Sequence, residues 1–210
     1  MLICEIFKSI QGEGKFSGFP CSFIRLSDCN LNCSYCDTKF AKEEFISLTN
    51  IEILEIVQKF NTRFVQITGG EPLLQEEVFD LMNLLTSHKY NTLLETNGSK
   101  DISSVPKNIH ISLDIKTPGS GMESFNLWKN LEFLKPTDEI KFVITGKRDF
   151  NWVLKIIDEY KLNKFENLLI SPVPGKVSYR DAAEWILDLK LSLRLNLQIH
   201  KIIWKGERER

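Results

Sequence analysis

No run in this 210-residue chain approaches the ~18 consecutive apolar residues that a membrane span requires. The first ten residues, Met1 to Ile10, carry Glu5 and Lys8 and hold no long apolar core, so they do not read as a secretion signal. The expectation is a cytoplasmic protein with no membrane partner, whose thiols stay reduced. Charge of one sign is also lacking: 27 Lys and Arg against 28 Asp and Glu leave a net −1. Without an overall basic field, nucleic acid is not the default partner. No Ser/Gly/Pro-rich linker and no internal repeat divide the chain, so a single core domain over residues 1–210 is expected. The phosphate loop G-x4-G-K-[ST] is missing, and Gly12-Glu13-Gly14 does not form the dinucleotide fingerprint. Hydrophobic residues at 42% are enough for a core and too many for a disordered chain.

Cysteine is scarce, five in all, and three of the five fall in one short run: Cys29-Asn30-Leu31-Asn32-Cys33-Ser34-Tyr35-Cys36. The spacing C-x3-C-x2-C supplies three soft thiolates, one fewer than a closed zinc or electron-transfer site takes. Three thiolates on one loop can hold a four-iron cluster and leave one iron open to substrate. The plainer alternative is a zinc half-site completed by a distant histidine such as His200. Cys4 and Cys21 lie on apolar, strand-like segments and read as small core residues.

From residue 63 onward the chain alternates. Short β-branched runs predict strands over 64–68, 92–95, 109–115, 139–145, 167–171 and 195–200. Amphipathic stretches predict helices over 75–88, 123–134, 149–160 and 178–192. A further helix over 49–60 opens on Thr49-Asn50-Ile51-Glu52, which has capping-box spacing. Earlier strands are expected at 21–26 and, near an edge, 2–7. Alternation of this kind implies an α/β fold with a parallel sheet and right-handed crossovers. A closed barrel needs eight strand–helix units in ~250 residues, so a partial, open (βα) barrel fits better.

The polar, Gly/Pro-rich segments nearly all follow strands: the cysteine loop, Thr68-Gly69-Gly70-Glu71-Pro72, Glu95-Thr96-Asn97-Gly98, Asp114 to Gly119, and Ser171-Pro172-Val173-Pro174-Gly175. In parallel α/β folds the carboxyl ends of strands share one rim, which holds the site. Gly69-Gly70 lets a backbone approach a ligand, and Glu71 offers a carboxylate beside it; a tight turn before a helix is the alternative. Ser9 to Gly14 is a glycine-rich segment between strands in which Gln11 and Glu13 could meet an amide or purine-like edge, or form a hairpin turn. Arg25 interrupts the apolar strand Cys21 to Leu26. An inward strand arginine pairs with a carboxylate, either Glu13 or one on the substrate. Thr38, just after Cys36, has a hydroxyl suited to a hard cation such as Mg2+, or else turns the loop.

These residues resemble a known family. Cys29-x3-Cys33-x2-Cys36 with Tyr35 and Gly69-Gly70-Glu71-Pro72 is similar to the radical S-adenosylmethionine superfamily. Ile10-Gln11-Gly12-Glu13-Gly14, Phe23-Ile24-Arg25-Leu26, Cys36-Asp37-Thr38, Glu95-Thr96-Asn97-Gly98 and Gln198-Ile199-His200-Lys201 resemble the 7-carboxy-7-deazaguanine synthases within it. The resemblance implies a partial TIM-like barrel and a lyase of queuosine and 7-deazapurine synthesis. It would use a 4Fe-4S cluster, S-adenosylmethionine and Mg2+ to convert 6-carboxy-5,6,7,8-tetrahydropterin to 7-carboxy-7-deazaguanine with loss of ammonia. It also implies a homodimer fed electrons by a flavodoxin or ferredoxin.

By the same resemblance Cys29, Cys33 and Cys36 ligate the cluster and Thr38 the Mg2+. Tyr35, Cys36, Asp37, Gly70, Glu71, Asp114, Ile115, Lys116, Ser171, Pro172, Val173 and Pro174 contact S-adenosylmethionine. Ile10, Gln11, Gly12, Glu13, Arg25, Thr68, His200 and Arg210 line the pterin pocket. Two other readings stay open. A glycyl-radical activating enzyme shares the cysteine motif, although Gln11, Glu13 and Arg25 favour a small-molecule pocket. A non-catalytic zinc-binding module needs only two of the thiolates.

Overall fold

A computed structural model describes residues 1–43, 45–205 and 207. One nine-stranded sheet carries them, in the order β3-β1-β2-β4-β5-β6-β7-β8-β9. The strands are β1 (Leu2–Ile10), β2 (Pro20–Leu26), β3 (Ile46–Ser47), β4 (Phe64–Gly69), β5 (Asn91–Thr96), β6 (His110–Ile115), β7 (Glu139–Ile144), β8 (Asn167–Pro172) and β9 (Leu193–Leu195). β1 runs antiparallel to β2 and β3, and every pair from β2 to β9 is parallel. The sheet is open, as the strand count predicted: β3 and β9 are its two ends.

Helices α1 (Asn50–Phe60), α2 (Glu77–Ser87), α3 (Lys147–Glu159) and α4 (Tyr179–Leu187) connect parallel strands. The capping box at α1 is complete, with Thr49 accepting from the Glu52 N–H and Glu52 accepting from Thr49. Ile53, Leu54 and Val57 of α1 and Val78, Leu81, Met82 and Leu85 of α2 are buried on one face, as the 3.6-residue period requires. They pack on Ile24, Leu26, Val65, Ile67 and Leu94 from one side of the sheet.

The opposite, concave side has two zones. Phe7, Cys21, Phe23, Phe64 and Leu93 form a small apolar cluster at the lower ends of their strands. Two residues further along, the period-2 alternation of a strand puts Arg25 above Phe23, Gln66 and Thr68 above Phe64, and Glu95 above Leu93. Asp114 of β6 lies directly opposite Lys141 of β7 in the parallel register. Successive inward positions thus change from apolar floor to charged wall.

Two predicted elements differ. The 123–134 stretch is not an α-helix but two short 3-10 turns, Glu123–Phe125 and Trp128–Glu132. Its backbone and asparagines bond outward instead: the Leu127 N–H donates to the Gly98 carbonyl at 3.0 Å, and Asn130 Nδ2 donates to the Gly98 and Lys100 carbonyls. The strand expected over 195–200 stops at Leu195, and Ile199–Trp204 is a helix, α5, so His200 is helical. The Asn196 N–H makes a last bond to the Ile170 carbonyl at 2.8 Å. The next bond of that ladder would need an N–H from Pro172, which has none.

Candidate active site

β2, β4, β5, β6, β7 and β8 all end at one rim, around a cavity of about 270 Å³. The cysteine loop enters it directly from β2. Its base is fixed by close backbone packing: the Glu71 N–H donates to the Asp28 carbonyl at 2.8 Å and the Gly70 N–H to the Leu26 carbonyl at 3.0 Å. A Cβ on Gly70 would strike the Asp28 carbonyl, and one on Gly69, at φ +124°, would strike the Leu26 backbone. The glycines therefore let two loops touch, while both also line the cavity. The tip of the cysteine loop is tied to a distant turn, with Ser34 donating to the Ser120 and Gly119 carbonyls.

Cys29, Cys33 and Cys36 are free, half-buried and all on the cavity wall. The Cys29 sulfur accepts from the Leu31 N–H at 3.5 Å and from Asn97 Nδ2 at 3.7 Å. Burial pushes the Cys33 thiol up; Asp114, Cys36 and Cys29 add to this, and Lys116 opposes it. Three cysteine sulfurs on one wall would need compensating positive charge to bind as thiolates, and an iron–sulfur cluster would supply it. Among the described residues no three His, Cys, Asp or Glu side chains are placed to hold a single ion. The donors present are soft, reduced, backed by N–H groups and open to a cavity, which suits a cluster. The Thr38 hydroxyl lies 3.8 Å from the Cys36 sulfur. Thr38 precedes a 3-10 turn, but its side chain makes no capping bond and faces the cavity.

Asp114, Lys116, Tyr35, Ser171, Pro172, Val173 and Pro174 line the cavity beyond the cysteines. Lys116 Nζ holds Asp114 Oδ2 at 2.8 Å. Burial opposes the Lys116 charge, but the Asp114 carboxylate outweighs it, so its pKa is raised. Asp114 Oδ1 and the Tyr35 hydroxyl are buried without a hydrogen-bond partner. An acceptor and a donor orphaned on one cavity wall are what a polar ligand such as a ribose would satisfy. Ile115 alternates to the other side of β6 and belongs to the main apolar core, not the cavity.

Glu71 is likewise off the cavity wall, fully buried. Its carboxylate accepts from the Leu73 N–H at 3.1 Å, the Thr96 hydroxyl at 2.8 Å and the Asn97 N–H at 2.7 Å. Burial raises its pKa against the pull of these donors. Glu71 anchors the loop that brings Asn97 to Cys29, so the carboxylate expected beside the ligand acts on the loop's backbone.

Ile10, Gln11, Gly12, Glu13, Arg25, Thr68 and His200 all reach the same cavity. Arg25 does not pair with Glu13: its Nε donates to Glu5 Oε1 at 2.7 Å on the adjacent antiparallel strand. His200 arrives from α5 with its ring against Gly12, where a Cβ would collide with it. The Ile199 N–H donates to the Gly12 carbonyl at 3.0 Å, and Lys201 Nζ pairs with Asp37 Oδ2 at 2.5 Å. Burial holds the His200 pKa below its usual value. Asp37 is pushed up by burial but pulled lower overall by Lys201. Arg210 lies outside the described residues.

The sequence reading missed Lys141. It sits on the cavity wall, in contact with Glu95 and 3.3 Å from Glu13 Oε2. Gln66 and Asn196 were missed with it: Gln66 Nε2 donates to Glu95, and Asn196 Nδ2 to Glu13 and Ser171. The signal for Lys141 was present, since a lysine inside Glu139-Ile140-Lys141-Phe142-Val143-Ile144 breaks an apolar strand just as Arg25 does.

Comparison with known proteins gives the same answer as the geometry. The profile of the Radical SAM superfamily matches residues 24–189. A 7-carboxy-7-deazaguanine synthase from Clostridium acetobutylicum is 41% identical, with 96% of this chain and 95% of that protein aligned. One from Koribacter versatilis is 38% identical over 99% of this chain and 98% of its own length. The crystal structure of QueE from Escherichia coli superposes with a TM-score of 0.77 at 25% identity, covering 93% of each chain.

Proposed function

This chain belongs to the radical S-adenosylmethionine superfamily and, within it, to the 7-carboxy-7-deazaguanine synthases, and from that membership we propose that it converts 6-carboxy-5,6,7,8-tetrahydropterin to 7-carboxy-7-deazaguanine with loss of ammonia. The product serves queuosine or another 7-deazapurine. One observation carries the reading: three free thiols and the polar set Gln11, Glu13, Arg25 and Thr68 line one cavity.

The cluster with S-adenosylmethionine supplies, when bound, a carbon radical able to take a hydrogen atom from the pterin. Cys29, Cys33 and Cys36 would hold the cluster, and Asn97 would steady the Cys29 sulfur. Tyr35, Asp37, Gly70, Asp114, Lys116 and Ser171 to Pro174 form the wall for the nucleoside. Arg25 presents a guanidinium to the pterin carboxylate, and Glu13 and Gln11 receive its polar edge. The His200 helix covers this end and keeps water from the reacting atoms. Thr38 would give one oxygen to Mg2+, with substrate and water completing the shell. Its uncapped hydroxyl supports that role.

The whole chain acts as one core domain in this reading, in the cytoplasm, as a homodimer served by a flavodoxin or ferredoxin. The continuous nine-stranded sheet supports the single domain, and exposed Phe45 and Ile46 at the β3 edge suit a second copy. Among the described residues no helix is long and apolar enough to cross a membrane.

Anaerobic reconstitution tests the reading. The wild type takes up about four irons per chain, cleaves S-adenosylmethionine and yields the deazaguanine from the carboxytetrahydropterin. Cys33→Ala loses 5′-deoxyadenosine formation. Cleavage without deazaguanine would remove the substrate assignment, and one tightly held zinc in place of iron would favour the zinc module.

A further inference from the structure

Charged side chains are rare in the middle of a buried parallel strand. Lys141 of β7 is 6% exposed there, flanked by Ile140 and Phe142 in the core. Its ammonium contacts Glu95 Oε1 and lies 3.3 Å from Glu13 Oε2. Glu95 is otherwise engaged, accepting from Gln66 Nε2 at 3.0 Å and Thr68 Oγ1 at 2.9 Å. Glu13 sits on the irregular β1–β2 connection, and among the described residues its carboxylate is held by side chains: Lys141, Asn196 Nδ2 at 3.0 Å and Gln198 Nε2 at 2.7 Å. The other charged or titratable groups facing this cluster are Arg25 from β2, Tyr35 from the cysteine loop, His110 and Asp114 from β6, Glu139 from the lower end of β7, and His200, Lys201 and Asp37 around α5.

Two carboxylates therefore share one buried cation. Desolvation alone would favour a neutral Glu95, and Lys141 is the nearest charge that opposes it. Glu95 shows the effect: burial pushes its pKa up, yet Lys141 brings it down overall. An N–H-rich ligand edge needs an acceptor, and Lys141 is the cation that fixes the direction of the Glu13 carboxylate.

We propose that Lys141 is a positioning residue: its ammonium holds the Glu13 carboxylate aimed into the cavity, where that carboxylate accepts N–H groups from the aminopyrimidinone edge of the pterin. The inference rests on the pterin reading above. It adds that substrate recognition depends on a lysine at the centre of β7, which binds through Glu13 rather than by touching the substrate.

The test is an anaerobic equilibrium titration of the carboxytetrahydropterin into wild type, Lys141→Met and Lys141→Arg, between about pH 6 and 9. The wild type is flat over this range. Lys141→Met loses about 10- to 100-fold in affinity at neutral pH, the worth of a charge-assisted hydrogen bond. Its affinity recovers as pH rises, because the carboxylate pair, without its cation, holds a proton to higher pH. Lys141→Arg restores most of the affinity and the flat profile. S-adenosylmethionine affinity falls less than pterin affinity in Lys141→Met.

A flat profile for Lys141→Met, or equal losses for the two ligands, overturns the inference. Should the single variant fail to fold, Lys141→Met/Glu95→Gln removes one charge of each sign and carries the same test through its affinity loss; wild-type affinity in that double variant also overturns it. A wild type that binds no pterin at any pH is a separate result, and sinks the substrate reading instead.

Discussion

Gly12→Ala adds one methyl group at the point where α5 meets the cavity. The methyl would run into the imidazole of His200. Gly12 does not have a left-handed backbone, so alanine takes its conformation without strain and the whole effect is steric. Such overpacking costs about 1–3 kcal/mol in a well-packed interior. What gives way is decided by what holds the two sides. Gly12 belongs to the β1–β2 connection over the sheet. α5 is six residues long, with Ile202 and Ile203 57% and 48% exposed. Its ties are the 3.0 Å bond from the Ile199 N–H to the Gly12 carbonyl, the 2.7 Å bond from Gln198 Nε2 to Glu13 Oε1 and the Lys201–Asp37 pair, whose side chains are 31% and 55% exposed. A backbone bond contributes about 1 kcal/mol, a bond to a charged group about 1.5–3 kcal/mol and an exposed ion pair about 0–1 kcal/mol. The ties and the overpacking cost are of the same order, and the short helix with its exposed outer face has less packing behind it than the sheet, so the helix shifts and the sheet does not. At about 2–4 °C per kcal/mol for a chain of this length, the melting temperature falls by about 2–12 °C. Pterin affinity falls on the order of 10-fold, because His200 and Gln198 leave the cavity with the helix. Melting curves and pterin titrations of Gly12→Ala, His200→Ala and the double variant form the assay. Removing the ring makes room for the methyl, so the two affinity losses should not add. Full additivity, or wild-type affinity in Gly12→Ala, would refute the reasoning.

Glu95 has its folded pKa lowered from 4.5 to about 2, because Lys141 outweighs burial. A depressed carboxylate contributes stability above its unfolded value, which is lost as pH falls through the folded one. Glu95→Gln should therefore be less stable than wild type at neutral pH, with the gap closing as pH falls from 4.5 toward about 2; urea midpoints against pH read this, and parallel curves would contradict it. Thr49→Ala breaks the capping box of α1 and should cost about 1 kcal/mol, or about 2–4 °C, with pterin affinity kept. An unchanged melting temperature would mean that the cap contributes nothing.

Much of the fold was legible because its rules are local. Period-2 runs located β4 to β8, and the capping box located α1. The 123–134 segment was misread because its apolar spacing is helical, while its asparagines and Leu127 N–H find partners on the 97–100 turn, over 25 residues away in sequence. The end of β9 depends on Pro172 in a neighbouring strand, a fact of ladder register. Among the site residues, Glu71 and Ile115 were placed correctly in the chain, yet both face away from the cavity. Arg25 found Glu5 rather than Glu13 because the antiparallel register sets Glu5 directly opposite it.

By itself the sequence determined the chemistry this protein is equipped for. Three thiolates one short of a closed site, Gln11-Gly12-Glu13-Gly14 and Cys36-Asp37-Thr38 are fixed by residue type and spacing, which no packing can change. Only the tertiary structure decided which carboxylates face the cavity and which hold loops. Glu13 and Glu95 gather round Lys141, and Glu71 turns inward to Leu73, Thr96 and Asn97. The reason is that ion pairing and desolvation depend on distance through space, and residues 13, 95 and 141 become neighbours only when β5, β7 and the β1–β2 connection meet at one rim.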